Sequence, residues 1–276
     1  MTAPAVPTAP AAEKSGTGAE PPDTGSRHKL TAFTGLAALS LDAMASVAYG
    51  PEAIVLVLAA AGGHGLGFTL PVTLAIAGLL AVLVASYRQV IAAFPDGGGS
   101  YAVAKSHLGR RTSLVAAASL VLDYVLNVAV AVTAGVAALT SAFPGLYDDR
   151  LVLCLGVLVL ITAVNMRGIV DSARAFIAPT AVFIGAILLL IVVGLFRDAP
   201  VSTAASTGHA PVLADNATTV GALLLLKAFA SGCSALTGVE AIANAVPSFR
   251  APAARRAMRA EAALGALLGV MLIGLS

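Results

Sequence analysis

Long apolar runs alternate with short polar connections along most of the chain, at about residues 31–61, 70–93, 113–141, 151–166, 173–196, 220–246 and 261–276. A helix needs roughly twenty apolar residues to cross the hydrocarbon layer of a bilayer. The pattern therefore predicts an all-α integral membrane protein of about seven spans over residues 30–276. The last run, Glu261 to Ser276, stops short of that length, and no capping signal follows it. On this reading the chain is expected to be the N-terminal part of a longer protein, cut within its seventh helix. Residues 1–29 show no such runs. They are dominated by Ala, Pro, Thr, Gly and Ser, and are expected to form a disordered tail. Their composition is not that of a signal peptide, because the first apolar run starts only after residue 30 and ends without a small-residue cleavage pattern.

Composition supports the membrane reading. The chain is 58% hydrophobic and 11% charged, against roughly a quarter charged in soluble domains. A chain of this size cannot hide that much apolar surface in its own interior, so lipid must cover part of it. Charge then sets the orientation. With the N-terminus in the cytoplasm, Lys14, Arg27, Lys29, Arg88, Lys105, Arg110, Arg111, Arg167, Arg174, Arg250, Arg255, Arg256 and Arg259 all fall on the inner side, while Arg150 and Arg197 fall outside. This is the expected positive-inside asymmetry for a multi-pass protein of the cell membrane.

The same inventory excludes several functions. Basic residues lie in short clusters between apolar runs, which gives nucleic acid no continuous face to bind. Cys154 and Cys233 both sit inside apolar runs, so neither a disulfide framework nor a CxxC site is built. The four histidines lie in polar connections without metal-ligand spacing. The triple glycine in "FPDGGGSYAVAKSHLGRR", residues 94–111, lacks the preceding strand and the Gly-Lys-Ser/Thr of a phosphate loop. It reads as a tight turn before a short interfacial helix. With no nucleophile–base pair and no cofactor motif, neither an enzyme nor a cofactor is expected.

What breaks the apolar pattern carries the chemistry. An ionisable group at mid-membrane costs at least about 2.5–3.5 kcal/mol, so such groups line cavities or pair. Span 1 holds Asp42 and Tyr49 two helical turns apart on one face, followed by Gly50-Pro51. Pro51 removes a backbone donor and Gly50 loosens the chain, so the helix is expected to break there and free carbonyls of residues 45–48. Carbonyls, a carboxylate and a phenol facing one cavity would make an oxygen cage for a bare monovalent cation. Span 6 repeats the arrangement, with breaks at Gly232 and Gly238 and with Thr237 and Glu240 on one face. Span 3 adds Tyr124 and Asn127 on a shared face, with Asp123 beside them. Interrupted helices at positions 1 and 6 suit an inverted repeat of five plus five spans, with the site at the repeat interface.

Four segments in order, "SLDAMASVAYGPEAI", "GGGSYAVAKSHLG", "DYVLNVAVAVTAGVAALTSAFP" and "SGCSALTGVEAIANAVPSF", resemble the amino acid–polyamine–organocation (APC) superfamily of permeases. Within it they look most like the KUP-type potassium–proton symporters of the KimA-like branch. The resemblance covers about residues 30–250 and implies a LeuT/APC-type inverted-repeat transporter fold, of which this chain holds the first repeat, helix 6 and part of helix 7. It implies potassium ligands at Asp42, Tyr49, Tyr124, Thr237 and Glu240, and proton coupling at Glu240, with Asp123 as a second candidate. Where that branch usually carries hydroxyl residues in span 3, this chain has Asn127 and Ala131. An amide oxygen can coordinate potassium; a methyl cannot.

The expected activity is proton-coupled potassium uptake by alternating access. The alternative within the superfamily is proton-coupled uptake of an amino acid, whose carboxylate would meet the backbone donors of the helix 1 break. Asp42 at that break would repel it. A channel or a transport-like sensor is a third reading, less suited to broken helices around one acidic centre. The oligomeric state is left open, a homodimer being one choice.

Overall fold

A computed structural model of the chain describes residues 29–61, 65–166, 169–196 and 221–276. The tail expected over residues 1–29 lies, apart from Lys29, outside them. The described residues are helical. The first apolar run forms α1 (Ala32–Leu39) and α2 (Leu41–Ala59), and the second forms α3 (Thr69–Ala93). A short α4 (Gly99–His107) follows the triple-glycine turn, as expected, before the long α5 (Gly109–Ala142). Then come α6 (Arg150–Asn165), α7 (Ile169–Leu195), α8 (Ala222–Gly232), α9 (Ala241–Asn244) and α10 (Ala253–Gly274). Six segments are long and apolar enough to cross a membrane: α2, α3, α5, Ala175–Leu195 of α7, the Ala222–Asn244 segment and α10. The protein is a multi-pass membrane protein.

Local chemistry explains where the first span starts. Thr31 caps α1: the Thr34 amide donates to Thr31 Oγ1 at 3.2 Å, and the Thr31 amide donates to Thr34 Oγ1 at 2.8 Å. Two of the helix's orphan donors are thereby satisfied. Just upstream, Leu30 pairs with the chain leaving span 6, the Leu30 amide donating to the Ser248 carbonyl at 2.7 Å and the Arg250 amide to the Leu30 carbonyl at 2.9 Å.

The packing has two parts. Helix α2 is central, lying against α8 and the turn that follows it, while α10 packs along α3 and α1 rests on α7 and α10. Met44, Ile54 and Leu58 of α2, Ile76 of α3, Phe249, and Leu264 and Leu268 of α10 are buried together in this core. By contrast, α5 and α6 keep wide apolar faces exposed, including Val121, Leu122, Leu151 and Val159. Such a surface is covered by lipid or by further protein. The interrupted first and sixth spans meet at the centre, as the inverted-repeat transporter fold requires.

Two expectations need correction. Span 1 does not break at Gly50-Pro51, because α2 runs through both residues. The interruption lies at Ser40, one residue long, with φ −102° and ψ 1°. Its hydroxyl donates back to the Leu36 carbonyl four residues earlier, a bond known to bend helices. Pro51 costs the helix one bond, to the Val47 carbonyl, which the packing around buried Pro51 tolerates. Gly50 is instead a packing residue: a Cβ there would lie 2.5 Å from the Ala235 Cβ. The second correction concerns the seventh helix, which begins at Ala253 rather than near Glu261 and is 22 residues long. Its basic first turns hid its helical character in a hydropathy reading.

Candidate functional site

Asp42 sits in the first turn of α2, immediately after the Ser40 kink. Asn127, from the middle of α5 and 8% exposed, points its amide nitrogen at two carboxylates. It donates to Asp42 Oδ2 at 3.2 Å and to Asp123 Oδ2, one turn earlier on its own helix, at 3.2 Å. An NH2 group has two hydrogens, so one amide bridges both acids. Asn127 was expected to offer its oxygen to a cation; here it presents its donors and occupies the position between the carboxylates.

Span 6 approaches from the other side. After α8 the chain tightens into a 3-10 turn over Cys233–Leu236 and becomes extended at Thr237. Gly238 then takes a left-handed φ of +78°. A Cβ at Gly238 would stand 2.8 Å from Asp42 Oδ2 and 2.8 Å from the Ala43 amide nitrogen. Only glycine meets both demands, so the break at Gly238 is what lets the span 6 backbone touch Asp42. Gly232 marks the change of helix type, and a Cβ there would run into Ile54 and Ile76 at 2.5 Å. Ser46, buried in α2, ties the two spans by donating to the Ala43 carbonyl at 2.8 Å and toward the Ala235 carbonyl at 3.3 Å.

The Thr237 hydroxyl donates to the Ser234 carbonyl at 3.0 Å. Tyr124 receives a hydrogen bond at 2.8 Å from the Asn244 amide. Glu240 keeps a buried Oε1 with no hydrogen-bond partner. The charged groups that act on Glu240 are Asp123 and Asp42, and the one acting on Asp42 is Asp123. All are acids. A cavity of about 600 Å³ opens beside Asp42, walled by Tyr124, Asn127, Ala131, Ile161 and Phe176. Tyr49, Thr237 and Glu240 do not line it. Ala131 does face it, so the wall carries a methyl where a hydroxyl was looked for. Glu52 and Lys227 are exposed.

Sequence reasoning missed three polar groups. Asn244 and Ser46 lie in the segments that carry the resemblance, yet neither is among the residues given a role there. Glu261 was read as the border of a span, although it is 0% exposed within α10. A polar residue inside an apolar helical stretch is the signal that would have found all three.

Comparison with known proteins adds two findings. A family profile described as "Amino acid permease" matches residues 33–276. The chain is 43% identical over 255 residues to the protein named "Potassium transporter KimA" of Bacillus subtilis (strain 168). That match covers 90% of this chain and 41% of the relative, so the chain spans less than half the length of that protein.

Proposed function

Since the chain belongs to the amino acid permease family, we propose that the protein is a secondary active transporter of the cell membrane that takes up potassium by alternating access, coupled to protons. The observation that carries the reading is the pair of carboxylates, Asp42 and Asp123, held on one Asn127 amide, together with the buried and unpartnered Oε1 of Glu240. Acids gathered at the meeting point of two interrupted spans are balanced by a mobile cation or by protons. The similar protein of Bacillus subtilis is named a potassium transporter, in line with this choice.

The roles follow from position. Asp42 supplies the charge that a dehydrated cation needs, with neutral oxygens available from Tyr49, Tyr124 and Thr237. Glu240, whose buried Oε1 lacks a hydrogen-bond partner, is the proton-carrying group, with Asp123 as the second candidate. Asn127 holds Asp42 and Asp123 together until a cation replaces its N–H groups. The N-terminus lies in the cytoplasm. Amino-acid uptake is the competing activity; it fits less well because a substrate carboxylate approaching the start of α2 would meet Asp42 in its first turn.

The test is rubidium uptake by potassium-uptake-deficient cells expressing the intact protein. Saturable uptake that potassium inhibits, and a panel of amino acids does not, is the expected result. Uptake of an amino acid with no rubidium transport would replace the cation reading.

A further inference from the structure

The triple glycine that precedes α4 does more than turn the chain. Gly97, Gly98 and Gly99 take left-handed φ angles of +79°, +96° and +45° in succession, a path that residues with a Cβ rarely follow. Two of the three are also pressed against span 6. A Cβ on Gly97 would stand 2.7 Å from the Pro247 Cδ and 3.0 Å from the Asn244 carbonyl oxygen. A Cβ on Gly99, which is buried, would run into Asn244 Oδ1. The nearest atoms to a Cβ on Gly98 belong instead to Ala102 of α4, the first at 3.1 Å. The turn between α3 and α4 thus closes on Asn244 with its two outer glycines.

Asn244 ends α9, four residues after Glu240. Its amide also reaches the opposite way. Nδ2 donates to the Tyr124 hydroxyl of α5 at 2.8 Å, while the buried Oδ1 has no hydrogen-bond partner. An amide kept only for structure would ordinarily satisfy both of its ends. Here one end is left bare against the turn, and the other holds a phenol in the wall of the cavity beside Asp42. Accepting from Asn244 commits one lone pair of the Tyr124 oxygen and leaves it the other lone pair and its proton. The bond therefore decides from which side a cation can approach that oxygen.

We propose that Asn244 is a positioning residue for the cation cage, holding the Tyr124 hydroxyl toward the cavity while the triple-glycine turn holds Asn244. Tyr124 stands at one end of this chain of contacts and the α3–α4 turn at the other, with span 6 between them. Movement of the turn away from span 6 removes the stop behind Oδ1, the amide becomes free to rotate, and the phenol loses its fixed orientation. The set of the turn thus acts on the affinity of the cage and leaves its charge alone. The proposal rests on the cation reading of the preceding subsection and adds to it a residue that works through another.

The experiment uses the intact protein. Half-saturating rubidium is read from uptake in cells and, independently of transport, from the rubidium-dependent rise of melting temperature in detergent. Asn244→Leu keeps the size of the side chain and removes the donor. Half-saturating rubidium is expected to rise by about threefold to tenfold, the range that one neutral hydrogen bond supplies. In a Tyr124→Phe background the same substitution should change nothing further, because the group it acts through is gone. Gly99→Ala should reproduce Asn244→Leu. Gly98→Ala, strained alike in its backbone but clear of span 6, should keep the wild-type value. Equal weakening by Asn244→Leu with and without the Tyr124 hydroxyl would overturn the proposal, as would equal affinities in the two glycine variants. Where Tyr124→Phe binds no rubidium, the glycine pair alone decides. Loss of monodisperse protein in both Asn244→Leu and Gly99→Ala would make the contact structural and overturn it too. Failure of wild type to take up rubidium would bring down the cation reading itself, a result read without any variant.

Discussion

At Gly238 the backbone stands at φ +78° and passes so close to Asp42 that one added methyl would sit 2.8 Å from its carboxylate. Gly238→Ala therefore meets a left-handed penalty and a collision together. It is expected to destabilise the protein by about 1–3 kcal/mol, read as a lower melting temperature in detergent, and to weaken rubidium affinity through displaced Asp42. Asp42→Asn tests the charge alone. The amide keeps the shape, so insertion and expression should be unchanged, while half-saturating rubidium should rise by about tenfold or more. Unchanged kinetics in a well-expressed Asp42→Asn protein would remove Asp42 from the site. At this scale much was readable in advance: carboxylates and phenols in apolar spans announce themselves by their cost. The Asn127 orientation was not readable, because which end of an amide meets the acids depends on Asp123 lying one turn away and Asp42 lying on another helix.

Among the elements, span 1 shows why a breaker residue is not always a break. Pro and Gly at 50–51 are the strongest local punctuation in the segment, yet α2 continues through them because Gly50 is pressed against Ala235 and Pro51 is buried. Tertiary packing overrode local preference. The kink came from Ser40, whose single back-bond carries a weaker sequence signal. The two sites should respond oppositely. Pro51→Ala restores a helix donor and should preserve rubidium uptake while leaving stability equal or higher. Gly50→Ala forces two methyl groups toward 2.5 Å and should cost about 1–3 kcal/mol with impaired transport. Loss of uptake in Pro51→Ala with full activity in Gly50→Ala would restore the break to Gly50-Pro51. Span 6 was readable for the opposite reason: its glycines at 232 and 238 sit where the backbone does change course, and no neighbouring element straightens it.

Across the whole molecule, apolar run lengths predicted about seven spans, of which six are long enough to cross a membrane while the fourth, α6, is a shorter apolar helix, and the basic residues give an orientation that can be measured. In a Cys154→Ser, Cys233→Ser background, Ser106→Cys lies in α4 among the inward-assigned basic residues, and Asp148→Cys lies at the turn before α6. A membrane-impermeant thiol reagent applied to intact cells should label Asp148→Cys and spare Ser106→Cys until the membrane is opened. The reverse pattern would invert the topology. The seventh span, α10, resisted reading at this scale because Arg255, Arg256 and Arg259 depress its hydropathy while Ala257 and Ala260 in the same turns are buried. Burial of one face is a tertiary fact, not a property of the run.

The short stitch between Leu30 and Phe249 joins the chain entering span 1 to the chain leaving span 6, with the Arg250 guanidinium also donating to the Lys29 carbonyl at 3.0 Å. Three hydrogen bonds at one edge, two of them between backbone groups, fasten the two interrupted helices to a common anchor point. Their inner ends cannot swing independently, so a tilt of one is transmitted to the other like two oars in a single rowlock. A pull on the residues just before Leu30 would then act on both helices at once, and through them on the cage proposed between them.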